Sequence, residues 1–309
     1  MRFHGGIILA RGFEVSRRED PHRVSFATEG QESMEARDIL AAPGRRGLAG
    51  LLLALTPFLT GASFQTANFT VQASTPEVAR AVATHAESCR ASIARQWLGK
   101  ELPRWKTPCP IRVKLTAGEA GGVTSFGFGA DGVSDQEMTV EGRLDRILAS
   151  ALPHEVTHTI FAAYFGGPMP RWADEGASLL SEDLRERQRH DQIAVDLLAR
   201  RGNFPLVRLF QIEEYPKDLM GFYGQGYSIS RFLIEMGGRP RFLAFVKDGS
   251  RTGWDAATRT HYGLADVREL DRAWHAWHKV LAEAKPARPS PDEVVIRAQS
   301  ASEPGSQGQ

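Results

Sequence analysis

The five residues His154-Glu155-Val156-Thr157-His158 constrain this chain more than any other stretch of it. They fall inside "RILASALPHEVTHTIFAAYF", a segment that is otherwise largely apolar and reads as a helix. Residues four apart lie on one helical face, about 6 Å apart along the axis. Two imidazoles so placed can reach one metal ion together. Glu155 lies beside them, where a carboxylate can meet a water held at the ion without being a ligand. With nine histidines in the chain, chance produces this arrangement in roughly one or two per cent of cases. A polar helix face is a poor explanation, because burying two histidines and a glutamate to no purpose costs on the order of several kcal/mol. Pro153 removes a backbone donor just ahead of His154, so it either kinks the helix or opens its functional half.

A catalytic zinc site takes three protein ligands and leaves one position open. The third histidine of an H-E-x-x-H-x-x-G-x-x-H pattern is missing, since Phe161 and Tyr164 stand where its glycine and histidine belong. "PRWADEGASLL" (170–180) offers two carboxylates instead, Asp174 and Glu175, on a segment that Trp172, Leu179 and Leu180 can pack. Sixteen residues separate His158 from Glu175, room for a helix end, a Gly166-Gly167-Pro168 turn and a returning helix. The spacing leaves Asp174 and Glu175 as competitors for the third ligand.

Ahead of this region, "GRRGLAGLLLALTPFLTGASFQ" places two arginines before an apolar run from Leu48 to Leu59 and small residues at 61–63. That is the layout of a secretory signal peptide, and the run is short for a membrane span. Signal peptides open a chain, so residues 34–63, beginning at Met34, are expected to be the signal segment and residues 1–33 a mis-assigned extension. The protein is then exported, periplasmic or secreted, and anchored only if the segment stays uncleaved. In such a compartment Cys89 and Cys109, the only cysteines, are expected to form one disulfide. Lys+Arg (38) and Asp+Glu (37) nearly cancel, which gives no electrostatic reason for a nucleic-acid partner. The Pro/Ser/Gly/Gln-rich end, 284–309, is expected to be a disordered tail.

Residues 64–283 are expected to form one domain. A helix over 75–99 begins at Pro76 and ends at Gly99. A half-exposed strand covers 111–118, and two more strands flank an Asp131-Gly132 turn within 121–142. From Gly142 the pattern turns helical: 143–165, 173–183, 185–201, 218–237, 240–248 and 266–283. Strands first and helices after them predict an α+β fold. "RERQRHDQ" reads as a solvated charged face, and "WHAWHKV" as core-plus-surface packing on an amphipathic helix.

"HEVTH" followed by "WADEGAS" resembles the gluzincin metallopeptidases, the group of thermolysin and the aminopeptidase N-like enzymes, and most of all the peptidase MA-like bacterial proteins. The resemblance covers roughly residues 111–240. It implies a two-lobed zincin-like domain, with a small sheet lobe, an active-site helix and a helical lobe. It also implies Zn2+ held by His154, His158 and Glu175, with Glu155 as general base. "FYGQGYSISRFLIEMGG" (222–238) is similar to the family's Y-x-K-G helix, with Gln225 in place of the lysine. Tyr223 is then the oxyanion donor, with Tyr227 as competitor. The sheet edge that pairs with an extended substrate in the family maps to Val123–Phe126 or to Met138–Val140. No G-x-M-E-N exopeptidase segment is present, which favours an endopeptidase. The expected function is an exported zinc-dependent peptidase acting on peptide or protein. The alternatives are a zinc hydrolase of a non-protein substrate and a non-catalytic secreted zinc-binding protein.

Overall fold

The computed structural model describes residues 23–27, 61–129 and 132–284. Strands β1 (Arg23–Ala27), β2 (Ala62–Gln65) and β3 (Phe69–Ala73) lead into helix α1 (Pro76–Leu98). The Thr75 side chain caps the start of α1 by accepting from the Val78 amide, and Gly99, left-handed at φ 71°, ends it. Strands β4 (Cys109–Leu115), β5 (Gly121–Gly129) and β6 (Gly132–Gly142) complete a mixed sheet of order β1-β5-β6-β4-β3-β2. β3, β4 and β6 run parallel, and α1 is the crossover that the β3–β4 pairing requires. Phe69, Val71, Cys109, Ile111, Met138 and Val140 alternate onto one buried face. α1 covers that face over β2 and β3.

Helix α2 (Leu144–Arg146) passes through a π-wound turn, Ile147–Ala151, into α3 (Leu152–Phe165), which lies on β5 and β6 beside α1. The π turn sits directly ahead of Pro153. A wider turn accommodates a residue with no N–H, so the helix continues in αR geometry instead of breaking. Pro153 therefore opens the regular half that carries the histidines. Gly166 closes α3 at φ 65°, as the Gly-Gly-Pro turn predicts.

The remainder is helical: α4 (Arg171–Ser178) with a 3-10 turn to Ser181, α5 (Leu184–Ala199), α6 (Leu206–Leu209), α7 (Leu219–Thr252), α8 (Trp254–Tyr262) and α9 (Val267–Ala284). Gly238, at φ 78°, breaks α7 in two, which matches the expected division near 238–240. α4 crosses α7 closely, because a Cβ on Gly176 would overlap the Gly226 carbonyl. Trp172 stacks on Phe210 (ring centroids 4.4 Å apart) and holds α4 in the core. Gly176→Ala is expected to push α4 from α7, lowering the unfolding midpoint by the equivalent of about 1–3 kcal/mol. It should also displace Glu175, the neighbouring residue. A thermal melt with metal titration reads both.

The fold is mixed α+β, as the order of strands and helices predicts. Several expectations change. Met138–Val140 lies inside the sheet between β4 and β5, so it has no edge to offer another strand. The other expected edge, on β5, is paired antiparallel with β1 over Val123–Gly127. Arg23–Ala27, from within residues 1–33, is the strand that covers it. Residues 28–60 and 285–309, which hold most of the signal segment and the tail, lie outside the described residues. Among the described residues no helix is long and apolar enough to cross a membrane. Cys89 and Cys109 stand as two separate buried thiols, not the expected disulfide. Each packs as a small apolar side chain in the core under α1, where burial pushes its thiol up to about 12.

Candidate metal centre

The i, i+4 spacing on α3 and the return of α4 bring His154, His158 and Glu175 together, with ligand atoms all within 4.8 Å of one another. All three side chains are buried. His154 Nε2 lies 3.4 Å and His158 Nε2 3.9 Å from Glu175 Oε2. His154 Nε2 and Glu175 Oε2 are buried without a hydrogen bond. Leaving such atoms unsatisfied costs about 1–3 kcal/mol each, a cost that a shared cation removes. The group can hold a metal ion.

What lies behind the ligands makes the same case. His154 Nδ1 is 2.9 Å from Glu182 Oε1, and His158 Nδ1 is 2.8 Å from Asp174 Oδ1. A carboxylate on Nδ1 holds the proton there in the neutral ring, so that a neutral imidazole presents its Nε2 lone pair inward. Ser150 Oγ donates to Glu182 at 3.0 Å, and the Tyr215 hydroxyl donates to Glu175 Oε1, leaving Oε2 for the ion. Asp174 is thus taken by His158, which separates the two carboxylates that sequence spacing leaves level.

Four buried carboxylates (Glu155, Asp174, Glu175 and Glu182) surround two imidazoles. Burial alone would lower the His154 imidazolium, but Glu175 and Glu182 outweigh it and the net shift is well upward. Burial likewise lifts the carboxyls of Glu155 and Asp174 above their ordinary range, against the pull of the two histidines. An excess of buried negative charge of this kind is what a divalent cation neutralises.

Glu155 is held on the sheet side. Thr124 Oγ1 on β5 donates to its Oε2 at 2.5 Å. A Cβ at residue 122 would come within 2.6 Å of Glu155 Cγ, so a glycine is needed there. Tyr223 sits on α7 among Glu175, Tyr215 and Glu155; burial first, then these neighbours, raise its phenol well above the usual range and keep it a donor. Tyr227, the competitor, is elsewhere: its neighbours are Asp191, Arg231 and the His190 ring. Gln225, at the lysine position of the resembled motif, clamps the backbone of Phe204 through both its amide atoms and has a packing role.

Comparison with protein-family models, with curated proteins and with solved structures finds no match. The functional reading rests on the residues themselves. Three of them escape sequence reasoning: Thr124, Glu182 and Tyr215. "RERQRHDQ" is not simply a solvated face, because Glu186 and His190, four residues apart on α5, are both buried. That spacing is the one signal that would have found them. "WHAWHKV" is packing: Trp274 is in the core, and its indole and His278 both meet Ser228.

Proposed function

We propose that this protein is an exported zinc-dependent peptidase of gluzincin type. The observation that carries the reading is the pair of unsatisfied buried atoms, His154 Nε2 and Glu175 Oε2, facing each other beside His158 with the opposite histidine nitrogens tied to carboxylates. Two nitrogens and one oxygen, with no cysteine, suit a catalytic zinc and not a closed structural one. Sheet, then histidine helix, then helical remainder also agrees with the two-lobed zincin-like layout.

Zinc held there would supply Lewis acidity, polarising a water and the carbonyl it attacks. Glu155 takes the proton from that water as the new C–O bond forms, and returns it to the nitrogen as the C–N bond breaks. The raised carboxyl of Glu155 suits a group that must hold a proton between the two steps. Thr124 fixes its orientation. Tyr223, protonated and beside Glu155 and Glu175, donates to the developing oxyanion. The β5 edge supports an extended substrate: Arg23–Ala27 of this chain already pairs there antiparallel.

Metal analysis together with proteolysis of a denatured-protein library, with and without chelator, tests the reading. Stoichiometric zinc and chelator-sensitive cleavage are expected; zinc with no peptide cleavage would move the assignment to another hydrolase. Export rests on the Arg45-Arg46 flank, the Leu48–Leu59 run and the small residues after it. N-terminal sequencing of the mature protein should begin near Ala62–Phe64, and a start at Met1 or Met34 would reject it. Processing there also removes β1 from the β5 edge.

A further inference from the structure

A cavity of about 330 Å³ adjoins the candidate centre, its walls drawn from the π-wound turn, the start of α5 and the start of α7. Ser150, Glu182 and Tyr223 line the end towards the metal ligands, and Arg146, Glu186 and His190 line its flank. Two of these groups keep one nitrogen without a hydrogen bond. His190 is 4% exposed and its Nδ1 has no hydrogen-bond partner. Arg146 holds Asp183 at 2.6 Å and Glu186 at 2.9 Å through its terminal nitrogens, while its Nε, 3.8 Å from Glu119 Oε2, is buried without a hydrogen bond. The Tyr227 ring packs against His190, 5.7 Å centroid to centroid. Burial keeps this imidazole neutral, with its pKa lowered to about 4.

We propose that the cavity is a substrate pocket in which His190 and Arg146 receive an uncharged carbonyl oxygen, either a backbone carbonyl or a side-chain amide of the bound peptide. The inference rests on the peptidase reading and adds to it a specificity-determining residue. A carbonyl is the chemistry that fits because the Arg146 Nε–H is a donor and His190 can donate from Nδ1 in one tautomer. A charged ligand fits poorly. Arg146, Arg185 and Arg189 on the walls are already paired with Glu119, Asp183 and Glu186, and Glu182 with His154, so an added charge would find no free partner there. A ligand that binds there has to reproduce the hydrogen bonds of any water it displaces.

The test uses the zinc-loaded full chain carrying Glu155→Gln, so that peptides bind without being cut. Calorimetry measures the affinity of blocked tetrapeptides that differ at one position, glutamine, leucine or glutamate, against added His190→Phe or His190→Gln. His190→Phe should weaken binding about tenfold, the loss expected when a buried hydrogen bond goes unmade. His190→Gln, which keeps an N–H donor, should recover most of it, with zinc content unchanged in both. An equal loss for all peptides identifies a backbone carbonyl, and a loss confined to the glutamine peptide identifies a side-chain amide. Unchanged affinity in His190→Phe, or a preference for glutamate, overturns the pocket. Binding that depends on His190 in a chain that never cleaves peptide sinks the peptidase reading and leaves the pocket standing. Cleavage by the Glu155-intact chain with a KM indifferent to His190→Phe does the reverse, and no binding of any peptide sinks both.

Discussion

Glu155→Gln is expected to bind zinc as the parent does and to lose hydrolysis by about 10²–10⁴-fold, the scale of general acid–base catalysis. The substitution keeps the side-chain size in a tight site, where a Cβ added at Gly122 would come within 2.6 Å of Glu155 Cγ. It leaves an acceptor for the Thr124 hydroxyl and removes only the proton-accepting oxygen. Tyr223→Phe should lose about 10²–10³-fold with metal intact, the scale for one oxyanion donor. Rates on a fluorogenic peptide beside metal content separate the two effects. Unchanged turnover in Glu155→Gln would refute the catalytic assignment whatever the zinc content.

Glu175→Ala should abolish stoichiometric zinc, because it removes one of three ligands together with the acceptor of the Tyr215 hydroxyl. Asp174→Ala behaves differently. Its carboxylate orients His158 from 2.8 Å without facing the ion, so affinity should drop by about 10–100-fold and the site should still fill at high zinc. Glu182→Ala should act as Asp174→Ala does, through His154. Zinc titration against a competing chelator resolves the two classes. Retention of tight zinc by Glu175→Ala would place the third ligand elsewhere.

The histidine pair, the helices around it and the α+β order were legible in the sequence. Each is written within a few residues: an i, i+4 face, Thr75 and Gly99 at the ends of α1, Gly166 at the end of α3, Gly238 within α7. β2 and β3 were not: the start of β2 overlaps the small residues at 61–63 that read as the exit of a signal segment, β3 is only five residues long, and only the pairing of β2 with β3 and of β3 with β4 shows them as strands. The cysteines illustrate a different limit. Two thiols in one chain suggest a bridge, but whether their sulfurs meet depends on where α1, packed over β2 and β3, sets Cys89 relative to Cys109 on β4.

The sequence by itself determined which residue types could meet at a metal and which helix would carry two of them. Only the tertiary structure decided that Glu175 meets the Nε2 atoms of His154 and His158 while Asp174 backs His158. It alone brought Glu182, Tyr215 and Thr124 to the site from 28 to 40 residues away, and turned His190 from an expected solvated face into a cavity wall. The physical reason is range. Periodicity and capping are settled by neighbours along the chain, whereas the partner of a carboxylate or an imidazole is settled by which helix packs against which, and here that is fixed by contacts such as Gly176 on Gly226.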